Sequence, residues 1–171
     1  MNLVWLDFVR EHARCARADF LARVRDPHLL LPPLGEPDDA ASFRTVKLRG
    51  GSTGAGGGGA VETLAPVRKR ADSNAFALMV TVGRASNNDV VVPDGRVSKF
   101  HCYLRRLGAT WTISDASSMN GTWVDGRPLP AQGSLPLGSR ARIRLGDGLE
   151  LEFLEPEALF ERVLAASALV G

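Results

Sequence analysis

Residues 140–153 read RARIRLGDGLELEF. Ala141, Ile143 and Leu145 alternate with Arg140, Arg142 and Arg144; beyond Gly146-Asp147-Gly148, Leu149, Leu151 and Phe153 alternate with Glu150 and Glu152. A period of two places one face of each segment in a core and the other in water. The Gly-Asp-Gly step between them is a hairpin signal. Arginines then stand opposite glutamates across the pair, worth about a few tenths of a kcal/mol each. The arginine run is therefore assigned to a solvated strand face and not to nucleic acid.

The same grammar extends upstream. Strands are expected at Val61–Val67, Phe76–Val82, Asp89–Val92, Phe100–Leu104, Trp111–Ser114 and Thr122–Val124, with Asp125-Gly126 as a tight turn. Short strands punctuated by Gly83, Gly95, Gly108, Gly121, Gly133 and Gly138 predict an all-β sandwich or barrel. The flanks differ. Residues 2–26 predict a helix capped by Asn2, with Trp5, Val9, Ala13, Ala16, Phe20 and Val24 on one face and a break near Arg17–Asp19, where Asp19 caps a second short helix. Pro27 and Pro32-Pro33 end helical structure. Pro156–Leu169 predicts a closing amphipathic helix with Leu159, Phe160, Val163 and Leu164 on one side.

These shifts divide the chain into a helical N-terminal extension (1–31), a Pro- and Gly-rich linker (32–59) with a short strand at Phe43–Leu48, the β-domain (60–154) and a C-terminal helix (155–171). Gly50–Gly59 is a glycine loop without the Gly-Lys-Ser/Thr ending of a phosphate-binding P-loop.

Composition bounds the function. The 171 residues carry 21 basic and 19 acidic side chains, and a net charge of +2 does not predict nucleic-acid binding, although it leaves room for a local basic patch. Cys15 and Cys102 are far apart with no metal-ligand spacing, so both are expected to be reduced, buried or half-buried thiols, and no metal or other cofactor is expected. Asp7, Arg10 and Glu11 interrupt the apolar start, which excludes a signal peptide, and no window is apolar enough for a membrane span. A cytoplasmic location is expected. High alanine, arginine and glycine usage suggests a GC-rich bacterial source.

Three clusters fall at strand ends: Gly83-Arg84, Ser98-Lys99-Phe100-His101 and Ser118-Met119-Asn120-Gly121-Thr122. Together with VGRASNNDVVV (82–92), GRVSKFHCYL (95–104), WTISDASSMNGTWVDGRPL (111–129) and LGSRARIRLGDGLELEF (137–153), they resemble the forkhead-associated (FHA) domain in order and spacing. The resemblance implies an eleven-stranded β-sandwich whose loops hold a phosphothreonine peptide. Arginine suits that task because its planar fork engages two phosphate oxygens at once. By the same resemblance Arg84 is the phosphate cation, Ser98 a hydroxyl donor, Lys99 a further donor, and Asn120 the grip on the peptide backbone. Gly83, His101 and Gly121 scaffold the site. Arg96 is expected to contact an acidic side chain three positions after the phosphothreonine. Met119 departs from the family's usual threonine, which puts one hydroxyl in doubt.

The implied function is a non-enzymatic adaptor that binds phosphothreonine proteins, Ser/Thr kinases or their substrates, with no nucleic-acid or membrane partner. Ser98 and His101 lack the Gly-x-Ser-x-Gly elbow of a hydrolase. Asp115 and Asp125 read as turn acids, and His12 and His28 as incidental or packing residues. An alternative is a phosphate-independent assembly module using the same fold and the first helix (Trp5, Val9, Phe20). A third is nucleic-acid binding through Arg68-Lys69-Arg70 and Arg140–Arg144. Thr63 or Thr45, if phosphorylated, could serve as a self-bound ligand unless held in a strand.

Overall fold

The computed structural model describes residues 2–34, 61–71, 73–130 and 132–170. The expected strand at Phe43–Leu48, the glycine loop and Thr45 lie outside these. The elements are β1 (Leu3–Val4), α1 (Trp5–His12), α2 (Arg17–Arg23), β2 (His28–Leu31), β3 (Thr63–Pro66), β4 (Val80–Gly83), β5 (Val90–Val91), β6 (Cys102–Leu107), β7 (Thr110–Asp115), β8 (Thr122–Val124), β9 (Arg127–Pro128), β10 (Leu135–Leu137), β11 (Arg140–Leu145), β12 (Leu149–Leu154) and α3 (Pro156–Val170). The strands form a seven-stranded sheet, β1-β3-β2-β12-β11-β8-β9, and a five-stranded sheet, β10-β7-β6-β4-β5. All pairs are antiparallel except β4 with β5.

The hairpin at 140–153 forms as read, with Arg142 opposite Glu152, Arg144 opposite Glu150, and Ala141, Ile143, Leu151 and Phe153 buried. The ion pairs run diagonally: Arg140 to Glu152 at 2.5 Å and Arg142 to Glu150 at 4.0 Å. Arg144 instead lies 3.6 Å from the centre of the Trp123 ring. These partners, together with Lys69 on Asp89 and Arg70 on the Ser86 carbonyl, occupy most of the cations of the nucleic-acid reading.

Between the sheets lies one core, with Leu29, Leu31, Val82, Leu104, Ile113, Ile143 and Phe153. A second core covers the other face of the seven-stranded sheet. There Trp5, Phe8 and Val9 of α1, Phe20 of α2 and Leu159, Phe160 and Val163 of α3 pack on Leu30, Leu64 and Leu154. The apolar stripe of the first helix is thus buried within the chain and offers no free partner surface.

The N-terminal expectation is corrected in three places. Asn2 caps no helix: Leu3–Val4 pairs with Thr63–Leu64, and α1 starts at Trp5. The helix breaks earlier than expected, at 13–16, where Ala16 is extended, and Asp19 lies inside the first turn of α2. The break lets Phe20 meet Phe8 and Phe160 from a new direction, at ring separations of 6.1 and 5.2 Å. His28–Leu31, expected as the end of a helical extension, is an inner strand between β3 and β12. Both faces are covered, so Leu29 and Leu31 enter one core and Leu30 the other, leaving no polar alternation to read. Pro27 and Pro32 bound it.

Other corrections are smaller. The expected buried strand at Phe76–Val82 is only Val80–Gly83, and Phe76 and Leu78 are exposed. The expected β-sandwich of about eleven strands forms, with twelve strands among the described residues. Leu164 is exposed and Ala166 takes its place in the helical core. His12 and His28 are both buried by packing. Thr63 is paired to Val4 on one side and Leu31 on the other, so a self-bound Thr63 would require pulling a strand from the sheet. No helix among the described residues is long and apolar enough to cross a membrane.

The turn before β4 is held by Asp89, whose carboxylate is fully buried. It accepts from Ser73 Oγ (2.6 Å), the Arg70 and Thr81 N–H groups (both 2.9 Å), Thr81 Oγ1 and Lys69 Nζ (both 3.0 Å). Burial alone would push its pKa up, yet these donors hold it far below the usual carboxylate range. Asp89→Ala should cost about 3 kcal/mol, because several buried donors lose their acceptor at once. A depressed pKa contributes stability that is complete above the unfolded value, about pH 4, and is lost as pH falls below it. Urea unfolding of wild type and variant at pH 7 and pH 3 should show a difference that narrows in acid.

Candidate phosphopeptide-binding site

Three loops meet at one end of the sandwich: 84–89 after β4, 92–101 before β6, and 116–121 before β8. Their meeting is enforced by one imidazole. His101 is fully buried; its Nδ1 accepts the Ser98 N–H at 3.0 Å, and its Nε2–H donates to the Gly121 carbonyl at 3.0 Å. Only the neutral Nε2–H tautomer satisfies both bonds. Burial lowers the His101 pKa, an effect that the Gly121 carbonyl only partly offsets. His101 thus accepts from the backbone of Ser98, while the Ser98 hydroxyl accepts the Met119 N–H at 3.1 Å. Ser98 and His101 are no nucleophile–base pair.

Arg84 is placed by its backbone and its side chain together. Its N–H donates to the Ser98 carbonyl at 3.0 Å, and its Nε donates to the Val97 carbonyl at 3.2 Å. The rest of the guanidinium is exposed, and no carboxylate pairs with it among the described residues. Gly83 precedes it because a Cβ there would strike the Lys99 carbonyl. Lys99 turns its backbone inward, its carbonyl accepting from the Ala85 N–H (3.1 Å) and Asn88 Nδ2 (2.6 Å), while the residue as a whole is exposed.

Asn120 lies on the third loop. Its Nδ2 donates to Asp147 Oδ2 at 3.2 Å. Gly121 has φ +77°, a conformation that favours glycine, and a Cβ there would also sit tightly, 3.1 Å from the Trp123 ring. Asp115 fixes this loop from below, accepting the Ser118 N–H (2.9 Å), Ser118 Oγ (2.6 Å) and Thr122 Oγ1 (2.6 Å). Burial works against its ionised form, but these three donors prevail and its pKa is lowered. Met119 contributes its backbone N–H, and its side chain is 90% exposed.

Hydrogen bonds therefore join Arg84, Ser98, His101 and Gly121 in one set, with Lys99 at its edge and Asn120 next to Gly121 in the chain but bonded to Asp147. Arg96 stands apart. Its Nε and NH2 grip Asp94 at 2.9 and 2.7 Å, so the cation is already matched within its own loop. Sequence reading missed this pair, along with Asn88, Asp89 and Asp147. Each is a short polar residue in a turn, a position where side chains bind backbone without signalling which backbone. Among the described residues, no group of three or more His, Cys, Asp or Glu could hold a metal ion.

Residues 80–146 match the family model described as the FHA domain. Over those residues the chain is similar to FHA domains. It is 33% identical over 64 residues to the FHA domain-containing protein FhaB of Mycolicibacterium smegmatis, covering 37% of this chain and 41% of that protein. It is 36% identical over 61 residues to the E3 ubiquitin-protein ligase rnf8 of Danio rerio, covering 33% of this chain and 13% of that one. The chain thus spans about two fifths of the FhaB length. Among solved structures, it is similar to Mycobacterium tuberculosis EmbR in complex with a low affinity phosphopeptide, at 27% identity and a TM-score of 0.41, covering 47% of this chain and 21% of that one. FHA domains are binding modules.

His101→Ala should destabilise the β-domain by about 2–3 kcal/mol at pH 7.5, since it orphans two backbone groups. A histidine with a lowered pKa contributes stability that is complete above its unfolded value, about pH 6.5, and is lost as pH falls toward the folded one. The urea midpoint of the wild type should fall between pH 7.5 and pH 5. The variant should fall less, the remainder coming from His28, whose pKa burial also lowers.

Proposed function

We propose that this chain binds phosphothreonine segments of partner proteins and recruits them downstream of Ser/Thr kinases, in the cytoplasm and without chemical transformation. One observation carries the reading. Arg84 presents a cation with no acidic partner among the described residues, next to a serine whose hydroxyl proton is uncommitted. A phosphate dianion needs both a fixed fork of N–H donors and preorganised neutral donors. Arg84 supplies the first. Ser98 supplies the second, because its oxygen accepts from Met119 and its O–H is left to donate.

Lys99 adds charge at the rim, and Asn120 grips the peptide backbone beside the phosphothreonine, exchanging its weak bond to Asp147 for a donor–acceptor pair with an amide. Gly83, His101 and Gly121 hold these groups without touching the ligand. Arg96, bound to Asp94, acts on the peptide more weakly than a free arginine would. Its attraction for an acidic side chain is correspondingly reduced. The binding unit includes 60–154 together with the inner strand His28–Leu31, which the sheet cannot lose without exposing both cores. The match to the FHA family over residues 80–146 supports this reading.

The test is calorimetric titration of a degenerate phosphothreonine peptide pool, with unphosphorylated and phosphoserine pools as controls. The wild type should bind only the phosphothreonine pool. Arg84→Ala should lose about 2–5 kcal/mol of binding free energy while remaining folded. Equal binding of the unphosphorylated pool, or an unaffected Arg84→Ala, would sink the proposal.

A further inference from the structure

The face of the five-stranded sheet turned away from the inter-sheet core carries an apolar groove of about 580 Å³ that the phosphate site does not use. Phe76, Leu78, Met79 and Leu107 line it, flanked by Arg105 and Arg106. Leu78 is 87% exposed, Leu107 61% and Phe76 47%. Isolated exposed apolar residues are ordinary, but large ones gathered in one groove mark a contact surface. The groove is also stiffened. Phe76 stacks on Phe100 at 5.7 Å, Phe100 leans on Tyr103 at 6.2 Å, and Arg105 lies 4.9 Å from the centre of the Tyr103 ring. Neither Arg105 nor Arg106 pairs with a carboxylate among the described residues.

A surface of matching chemistry sits on the opposite side of the molecule. Helix α3 buries Leu159, Phe160, Val163 and Ala166 against the seven-stranded sheet. Its outward stripe is Glu157, Glu161, Leu164 and Ala168, spaced so that they share one face, and Leu169 follows at 87% exposure. Two glutamates and exposed leucines on a helix complement two arginines and an apolar groove. This is the chemistry of an amphipathic helix laid in a groove.

We propose that the Leu78–Leu107 groove docks helix α3 of a second copy of this chain. The two surfaces are different and lie on opposite sides, so the contact is heterologous. It propagates head to tail unless a ring closes. Neither surface includes Arg84, Ser98 or Asn120, so every copy in the assembly would keep its own phosphate site open. Linked sites on one assembly would bind multiply phosphorylated partners with avidity. The inference does not depend on the phosphothreonine reading.

Analytical ultracentrifugation of the full chain from roughly 1 to 200 μM tests it, a range suited to weak or transient contacts. The wild type should grow in mass with concentration. Leu78→Ser and Leu164→Ser should each weaken association by roughly tenfold or more. Each variant keeps one good surface, so mixing the two should restore association and stop it at a one-to-one dimer. As a second pair, Arg105→Glu with Arg106→Glu and Glu157→Arg with Glu161→Arg should each fail alone and associate with each other, provided circular dichroism shows both folded. A wild type that stays monomeric throughout would overturn the proposal. So would association indifferent to these variants, or failure of both complementary mixtures, which would point to a symmetric contact instead.

Discussion

Two backbone groups twenty-three residues apart, the Ser98 N–H and the Gly121 carbonyl, are joined by a single buried imidazole. Everything at the binding end depends on that bridge. Neutral histidine is suited to it because it offers one acceptor and one donor on opposite sides of a rigid ring. A lysine or a carboxylate of similar length would bring a charge into a fully buried position. Once the loops are tied, Arg84 is fixed through the Ser98 carbonyl, and Met119 is fixed through the Ser98 hydroxyl. The site is therefore organised before any ligand arrives, which reduces the ordering cost of binding.

Charge is managed differently in different parts of the molecule. Asp89 and Asp115 are surrounded by donors and hold turns together. Arg96, Arg140 and Arg162 are each matched by a carboxylate. Arg84, Arg105 and Arg106, like several other arginines, have no acidic partner among the described residues; their neighbours set them apart. One lies at the loop end beside donors suited to phosphate. Two lie on a sheet face beside exposed leucines. Unmatched cations in two chemically distinct settings point to two kinds of contact.

The N-terminal segment shows how burial hides strands. Strands 140–145 and 149–154 have one wet face, so alternation exposes them. His28–Leu31 has none, so its leucine run carries no period and could not be told from a helix end. The helix break at 13–16 was equally silent, because it answers to the position of Phe8 and Phe160 and not to any local cap. At Phe76–Val82 the apolar run promised burial, but Asn74 and Ser73 are drawn to Asp89, and the segment is held as a turn with Phe76 and Leu78 facing outward.

The three polar clusters of the candidate site were visible at strand ends in the sequence, while the roles expected of their residues came from the resemblance to the FHA family. Sequence also determined the β-class, the hairpin register and the solvated arginine face, because those follow from a period of two and from local turns. Tertiary structure alone decided that Arg96 is spent on Asp94 while Arg84 is unpaired, that the first helix faces inward, and that Leu78 and Leu107 share a groove. These are differences in what lies across space from a side chain. Spacing along the chain carries no information about them until the two sheets and the helices are packed.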